Sequence, residues 1–154
     1  MTASAFGIDQ LPHRPPMRLV EQIVDLVEGE SARGLRVARP EDWYFQGHFP
    51  GDPIVPAIVL IELLAQTGGV AAASGREGSG RSLRVAAVGP FKFPGGARPH
   101  QTLDARARVV ARVGGMIKIE GDVLADGTCV AAGSVTLADV SPDRVDRSAR
   151  PAAD

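Results

Sequence analysis

An α+β fold, with one long apolar helix enclosed by a curved antiparallel sheet, is predicted by three features of the sequence. The first is the apolar run Ile58-Val59-Leu60-Ile61-Glu62-Leu63-Leu64-Ala65, which opens behind Pro56 and predicts a helix to about Ser74. The second is alternation in Thr102–Val113, where Leu103, Ala105, Ala107 and Val109 share one face and Asp104, Arg106 and Arg108 the other. The third is the pair of hairpin signals Gly114-Gly115 and Asp126-Gly127, each set between apolar runs. A chain of 154 residues, 44% of them hydrophobic, holds one such domain and a real core.

The elements follow in order. Residues 1–10 are small and mixed and predict a flexible start. Met17–Val27 suits either a strand or a short helix, but Glu28–Ser31 reads as a turn and Ala32–Arg39 alternates, so a β-hairpin is expected. Pro40–Pro56 is an irregular loop stiffened by Pro50, Pro53 and Pro56. The helix then runs from Pro56 to about Ser74, proline being tolerated where a first-turn N–H has no intrahelical partner. With almost no polar face it should be buried all round, and at about 1.5 Å per residue it spans about 28 Å. Gly75–Gly80 is a surface loop, and strands are expected at Leu83–Phe93, Thr102–Val113, Met116–Leu124 and Cys129–Val140, with Ile117, Ile119 and Val123 inward. The domain therefore occupies 11–140, and residues 141–154, rich in Arg, Asp, Ala and Pro, predict a disordered tail. So large an apolar helix in so small a sheet leaves edges and apolar surface that a symmetric dimer would cover.

Composition removes several function classes. A formal net charge of −1 offers no footprint for nucleic acid or an anionic membrane. The single Cys129 forms neither an intrachain disulfide nor a cysteine-built zinc site. No apolar run reaches the roughly 18 residues of a membrane helix, and Met1–Gln10 lacks a signal-peptide pattern, so a soluble cytoplasmic protein is expected. The 18 Gly and 12 Pro follow no period, which excludes a collagen-like repeat.

Two residues could carry chemistry. Glu62 lies within two turns of the helix start among aliphatic neighbours. A carboxylate there is paired, hydrogen-bonded or protonated, and loss of hydration raises its pKa toward that of an acid working near neutral pH. A core glutamate bonded to a backbone group or an arginine is the alternative. His48 stands in Gln46-Gly47-His48-Phe49-Pro50-Gly51-Asp52, either a plain loop residue or a general base. The free N–H groups and positive end of the helix that follows suit a polarised carbonyl. Base, buried acid and amide donors so close in sequence fit proton abstraction beside a carbonyl.

The stretch from Gly47-His48-Phe49-Pro50-Gly51-Asp52 through Pro53-Ile54-Val55-Pro56-Ala57 to Ile61-Glu62-Leu63-Leu64-Ala65-Gln66 resembles the signature of β-hydroxyacyl-acyl-carrier-protein dehydratases, hotdog-fold enzymes of fatty-acid synthesis. Leu11-Pro12-His13-Arg14 and Phe91-Lys92-Phe93 resemble flanking motifs of the family, so the likeness covers roughly 11–140. The resemblance implies that His48 takes the α-proton of a (3R)-3-hydroxyacyl thioester while Glu62 of a partner chain protonates the departing β-hydroxyl, giving a trans-2-enoyl thioester and water. It implies substrate contacts at Phe49, Gly51, Ala57 and Gln66, with the N–H at Ala57 polarising the thioester carbonyl. It also implies no metal or organic cofactor, an acyl carrier protein as partner, and a homodimer with shared sites that related enzymes often extend to a trimer of dimers. Glutamate rather than aspartate at position 62 points to the non-isomerising type. The chain departs from the family in Val55-Pro56-Ala57, where Met-Pro-Gly is usual, and at Arg18, where an apolar residue is usual. A thioesterase on the same fold and a non-catalytic acyl-binding partner are the alternatives; the presence of both His48 and Glu62 favours the dehydratase.

Other candidates read as structural. His13 is expected to bond a backbone group, His100 to sit in an exposed turn, and Cys129 to be a buried small hydrophobe. Gln66, one turn beyond Glu62, either orients a catalytic group or satisfies buried backbone. Gly68-Gly69 lacks the context of a phosphate loop. The 15 Arg against 2 Lys are read first as solvated faces, and second, for Lys92, Arg98 and the arginines of 76–84, as contacts to an acidic, phosphopantetheine-bearing carrier.

Overall fold

The computed structural model describes residues 7–76 and 82–141. A six-stranded antiparallel sheet runs in the order β1-β2-β4-β5-β6-β3: β1 Gln22–Val27, β2 Ser31–Val37, β3 Leu83–Lys92, β4 Thr102–Val113, β5 Met116–Ala125 and β6 Thr128–Asp139. The helix α1, Ala57–Ala73, packs against β2, β4, β5 and β6. This is the hotdog arrangement expected from the resemblance.

Alternation placed the strands correctly because one face of the sheet is buried. Leu103, Ala105, Ala107, Ile119 and Val123 all point to the helix and are almost fully buried. On the opposite face Arg33 bonds Asp104 at 2.7 Å and Asp25 at 2.6 Å, Arg106 bonds Asp122 at 3.0 Å, and Arg108 bonds Glu120 at 3.1 Å. Exposed pairs of this kind contribute little each, about 0–1 kcal/mol, so the burial of the inner face sets the register. Asp126 and Gly127 both have positive φ (45° and 85°), as a type I′ hairpin turn requires.

Three expectations change. Residues 17–21 precede the strand rather than joining it, because the N–H groups of Leu19 and Val20 are taken by the Gln66 side chain, at 2.9 and 3.3 Å, instead of by a ladder. The helix is not buried all round: Ile58 is 71% exposed and Ile61 and Glu62 are half-buried, so burial is nearly complete only from Leu63 onward. Cys129 is half-buried, its thiol directed at the Ala131 carbonyl. His100 does occupy an exposed turn, with φ 72°. The predicted loop 75–80 is described only at its first two residues, and most of the expected N-terminal start and tail, 1–6 and 142–154, lie outside the described residues.

At its far end the helix is closed by Arg112, whose guanidinium donates to the Ala72 carbonyl at 3.0 Å and to Gly29 at 3.1 Å, a cation placed where the helix dipole favours one. Mid-helix, Gly68 permits close approach to β5: a Cβ there would stand 2.6 Å from Ile119 Cγ2. Gly69 has room, its nearest contacts falling at 3.8 and 4.0 Å. Ile119 is fully buried and stiff, so Gly68→Ala is expected to lose up to about 2 kcal/mol net, overpacking outweighing the ~1 kcal/mol gain in helix propensity. Gly69→Ala should instead gain about 0.5–1 kcal/mol, both read by urea unfolding.

Among the described residues no helix is long and apolar enough to cross a membrane.

Candidate active site

The loop before the helix is closed on itself. Phe49 and Asp52 exchange both backbone bonds at 3.0 Å, Ile54 N–H donates to the His48 carbonyl at 3.0 Å, and Val55 N–H to Ala97 at 2.8 Å. Gly47 and Gly51 hold φ of 77° and 73°, the left-handed region that glycine enters without cost. Within this frame His48 is half-buried, and its Nδ1 lies 2.9 Å from the Ile54 carbonyl oxygen. A carbonyl only accepts, so Nδ1 carries the hydrogen and the neutral ring presents a bare lone pair at Nε2. The Phe49 ring stacks on the imidazole with centroids 4.1 Å apart.

His48 opens onto a shallow depression shared with Pro56, Ala57 and Ile58 at the helix start. Among the described residues no side chain caps that end of the helix, and while the Val59 N–H is taken by the Pro56 carbonyl at 2.9 Å, those of Ala57 and Ile58 are left available to a ligand oxygen. Phe49 and Gly51, also expected at the substrate, line a neighbouring depression with Pro50 and Pro53. Phe49 is 51% exposed. Arg98 is tied to Asp52 at 2.6 Å beside it.

Behind the loop lies a cluster that sequence reasoning missed. Arg36, 9% exposed, donates to the Leu19 carbonyl at 2.9 Å and to the Tyr44 hydroxyl at 3.2 Å, and pairs with Asp42 at 3.0 Å. Tyr44 donates to Asp42 at 2.7 Å. Burial pushes the Tyr44 hydroxyl up to about 12, the Asp42 carboxylate adding to the effect and Arg36 opposing it. Period-two alternation put a charged residue on the inner face of β2, which is the signal that could have pointed to Arg36.

Glu62 faces a different cavity, of about 350 Å³, lined chiefly by Leu11, Pro12, Ala65, Leu83, Val85 and Leu137. One carboxylate oxygen, Oε1, receives Gln66 Nε2 at 3.0 Å and lies 3.3 Å from His13 Nε2. Gln66 also donates to the Met17 carbonyl at 2.8 Å while its oxygen takes the Leu19 and Val20 N–H groups, so it satisfies buried backbone and bonds Glu62 at once. Among the described residues the His13 side chain does not bond backbone as expected; its Nε2 faces Glu62 Oε1 at 3.3 Å instead. The expected upward shift of Glu62 is also corrected: burial raises its pKa, but the bonds from His13 and Gln66 outweigh that and hold it below the ordinary value. Arg18, the unusual residue of this segment, is half-buried with its guanidinium 3.6 Å from Asp9.

The structure thus brings Glu62, Gln66 and His13 together at one cavity, and His48 together with Ala57 at another, on one hotdog domain. The chain belongs to the FabA-like domain family, whose model matches residues 11–134. It is 32% identical over 128 residues to the 3-hydroxyacyl-[acyl-carrier-protein] dehydratase FabZ of Caldicellulosiruptor saccharolyticus, covering 83% of this chain and 91% of that one. The FabZ of Herpetosiphon aurantiacus is 35% identical over 131 residues, with coverages of 83% and 91%. Among solved structures, the dehydratase heterocomplex ApeI:P from Xenorhabdus doucetiae superposes with a TM-score of 0.75 at 16% identity, covering 94% of this chain and 98% of that one, a likeness of fold.

Proposed function

We propose that this protein is a cytoplasmic dehydratase that converts (3R)-3-hydroxyacyl thioesters of acyl carrier protein to trans-2-enoyl thioesters; its FabZ relatives are named 3-hydroxyacyl-[acyl-carrier-protein] dehydratases. The observation that carries the reading is the fixed tautomer of His48: with Nδ1 committed to Ile54, Nε2 is the nitrogen that takes the α-proton. The thioester carbonyl accepts from the uncapped helix start at Ala57, which stabilises the developing enolate. Glu62 gives a proton to the β-hydroxyl, the C–O bond breaks, and water leaves. An acyl chain entering the cavity adds desolvation, which moves Glu62 toward the protonated form its donors oppose in the free chain.

His48 and Glu62 line separate cavities of one chain, which supports a site completed across a homodimer. Among the described residues edge strand β3 pairs only with β6; it exposes Val85 (45%) and Val88 (52%) and lends Leu83 and Val85 to the Glu62 cavity. A second copy laid along that edge would cover the exposed valines and present its residues at Glu62.

Equilibration of short and medium trans-2-enoyl thioesters with water, followed by the loss of enoyl absorbance, tests the reading. Absorbance loss with wild-type protein is expected. Release of free thiol instead would mark a thioesterase, and no change with any chain or carrier a non-catalytic acyl binder.

A further inference from the structure

Glu62 is held in an asymmetric way. Gln66 and His13 both reach Oε1, and among the described residues none bonds Oε2. Had the two donors been divided between the oxygens, protonation of either oxygen would have displaced one of them. With both on Oε1, the same bonds persist whether Oε2 is bare or carries a proton.

The state of His13 follows from its other nitrogen. Nδ1 is buried and has no hydrogen-bond partner among the described residues. A second proton there would bury an N–H without an acceptor, and moving the one proton to Nδ1 would also turn an Nε2 lone pair onto the carboxylate oxygen. The Nε2–H tautomer satisfies the Glu62 contact and leaves only a bare lone pair inside. Gln66 cannot take over this duty alone, because its amide is already divided among Met17, Leu19, Val20 and Glu62.

We propose that His13 is a positioning residue: as an Nε2–H donor it fixes the Glu62 carboxyl plane so that Oε2 is the oxygen that carries the acidic proton to the leaving hydroxyl. The inference rests on the dehydratase reading of Glu62. His13 itself exchanges no proton with substrate. The other charged groups nearby are Arg84, which lines the cavity from β3, and Arg14, which donates to the Leu11 and His13 carbonyls; both remain in every variant considered.

The test compares His13→Phe, which keeps a ring but loses the donor, with His13→Gln, whose terminal N–H can replace Nε2–H. Two readouts are taken on dimers with wild-type melting curves: kcat and KM for a 3-hydroxyacyl thioester, and the Glu62 carboxyl titration by 13C NMR, assigned by its absence in Glu62→Gln. His13→Phe is expected to raise the Glu62 titration point, because a bond to the charged form is lost, and to lower kcat roughly 10- to 100-fold with KM nearly unchanged. His13→Gln should restore both in large part. An unmoved titration in His13→Phe, or a folded His13→Gln as impaired as His13→Phe, overturns the proposal. In wild-type protein, 15N shifts of His13 should show hydrogen on Nε2; a ring with hydrogen on Nδ1 alone overturns it without any variant. If Glu62→Gln retains full turnover, the acid role of Glu62 fails, a result separate from whether His13 holds its carboxyl.

Discussion

His48→Ala is expected to lower dehydration by about 10²–10⁴-fold, the usual contribution of a positioned general base, while leaving the melting temperature within a few degrees. The stability expectation comes from its surroundings. The ring is half-buried, its one polar contact is to Ile54, and the loop retains its backbone bonds between Phe49 and Asp52 and between Ile54 and His48. Glu62→Gln should cause a comparable loss, since an amide keeps the shape but donates no acidic proton at a useful pKa. Neither protein alone should turn over substrate efficiently. Mixed after reversible dissociation, they should regain up to about a quarter of wild-type activity, because half the dimers are mixed and each mixed dimer holds one intact pair. Recovery measured against the mixed-dimer fraction decides the matter: none in proven mixed dimers would place both residues of each site within one chain.

The largest expected effect on stability lies at Arg36. Its guanidinium is buried and serves the Leu19 carbonyl, the Tyr44 hydroxyl and the Asp42 carboxylate together. Arg36→Met fills similar space but strands a charge and a carbonyl, and removal of one partner of a buried pair costs about 3–5 kcal/mol. A melting temperature lower by about 10–20 °C in circular dichroism is expected for a domain of this size. Arg36→Met/Asp42→Asn should recover part of the loss by removing the stranded charge. If the double variant is no better than the single one, the ion pair is not what makes Arg36 necessary. The cluster also joins the loop bearing His48 to the arm before β1, residues 11–21, which touches Gln66, so a decline in turnover before unfolding is expected in Arg36→Met.

The sequence was most legible where one physical rule acted alone. Alternation in β4 and β5 records a sheet with one dry face, and the Asp126-Gly127 turn records a backbone that needs two positive φ angles. The helix was visible from its unbroken apolar run, although its exposed start at Ile58 was not, because periodicity reports hydrophobicity and not what covers it. The motif named His48 and Glu62 but not their surroundings. His13 stands 49 residues before Glu62, and its partner depends on how the arm folds back over the helix. Likewise the shift of Glu62 reverses because two donors, neither adjacent in sequence, outweigh burial that the sequence alone could foresee.

Gln66 shows where this site can be tuned. Its carbonyl oxygen and both amide hydrogens are spent, and a flipped amide would set its oxygen against the Met17 carbonyl and Glu62 and its nitrogen against two N–H groups. Its rotamer is therefore dictated by the backbone of residues 17–20, and the direction of the Glu62 carboxyl is inherited from that backbone in turn. Substitutions in the arm are thus a route for adjusting the direction of the Glu62 carboxyl in small steps. Exchanges at Gln66 itself trade four bonds at once and leave no such gradation.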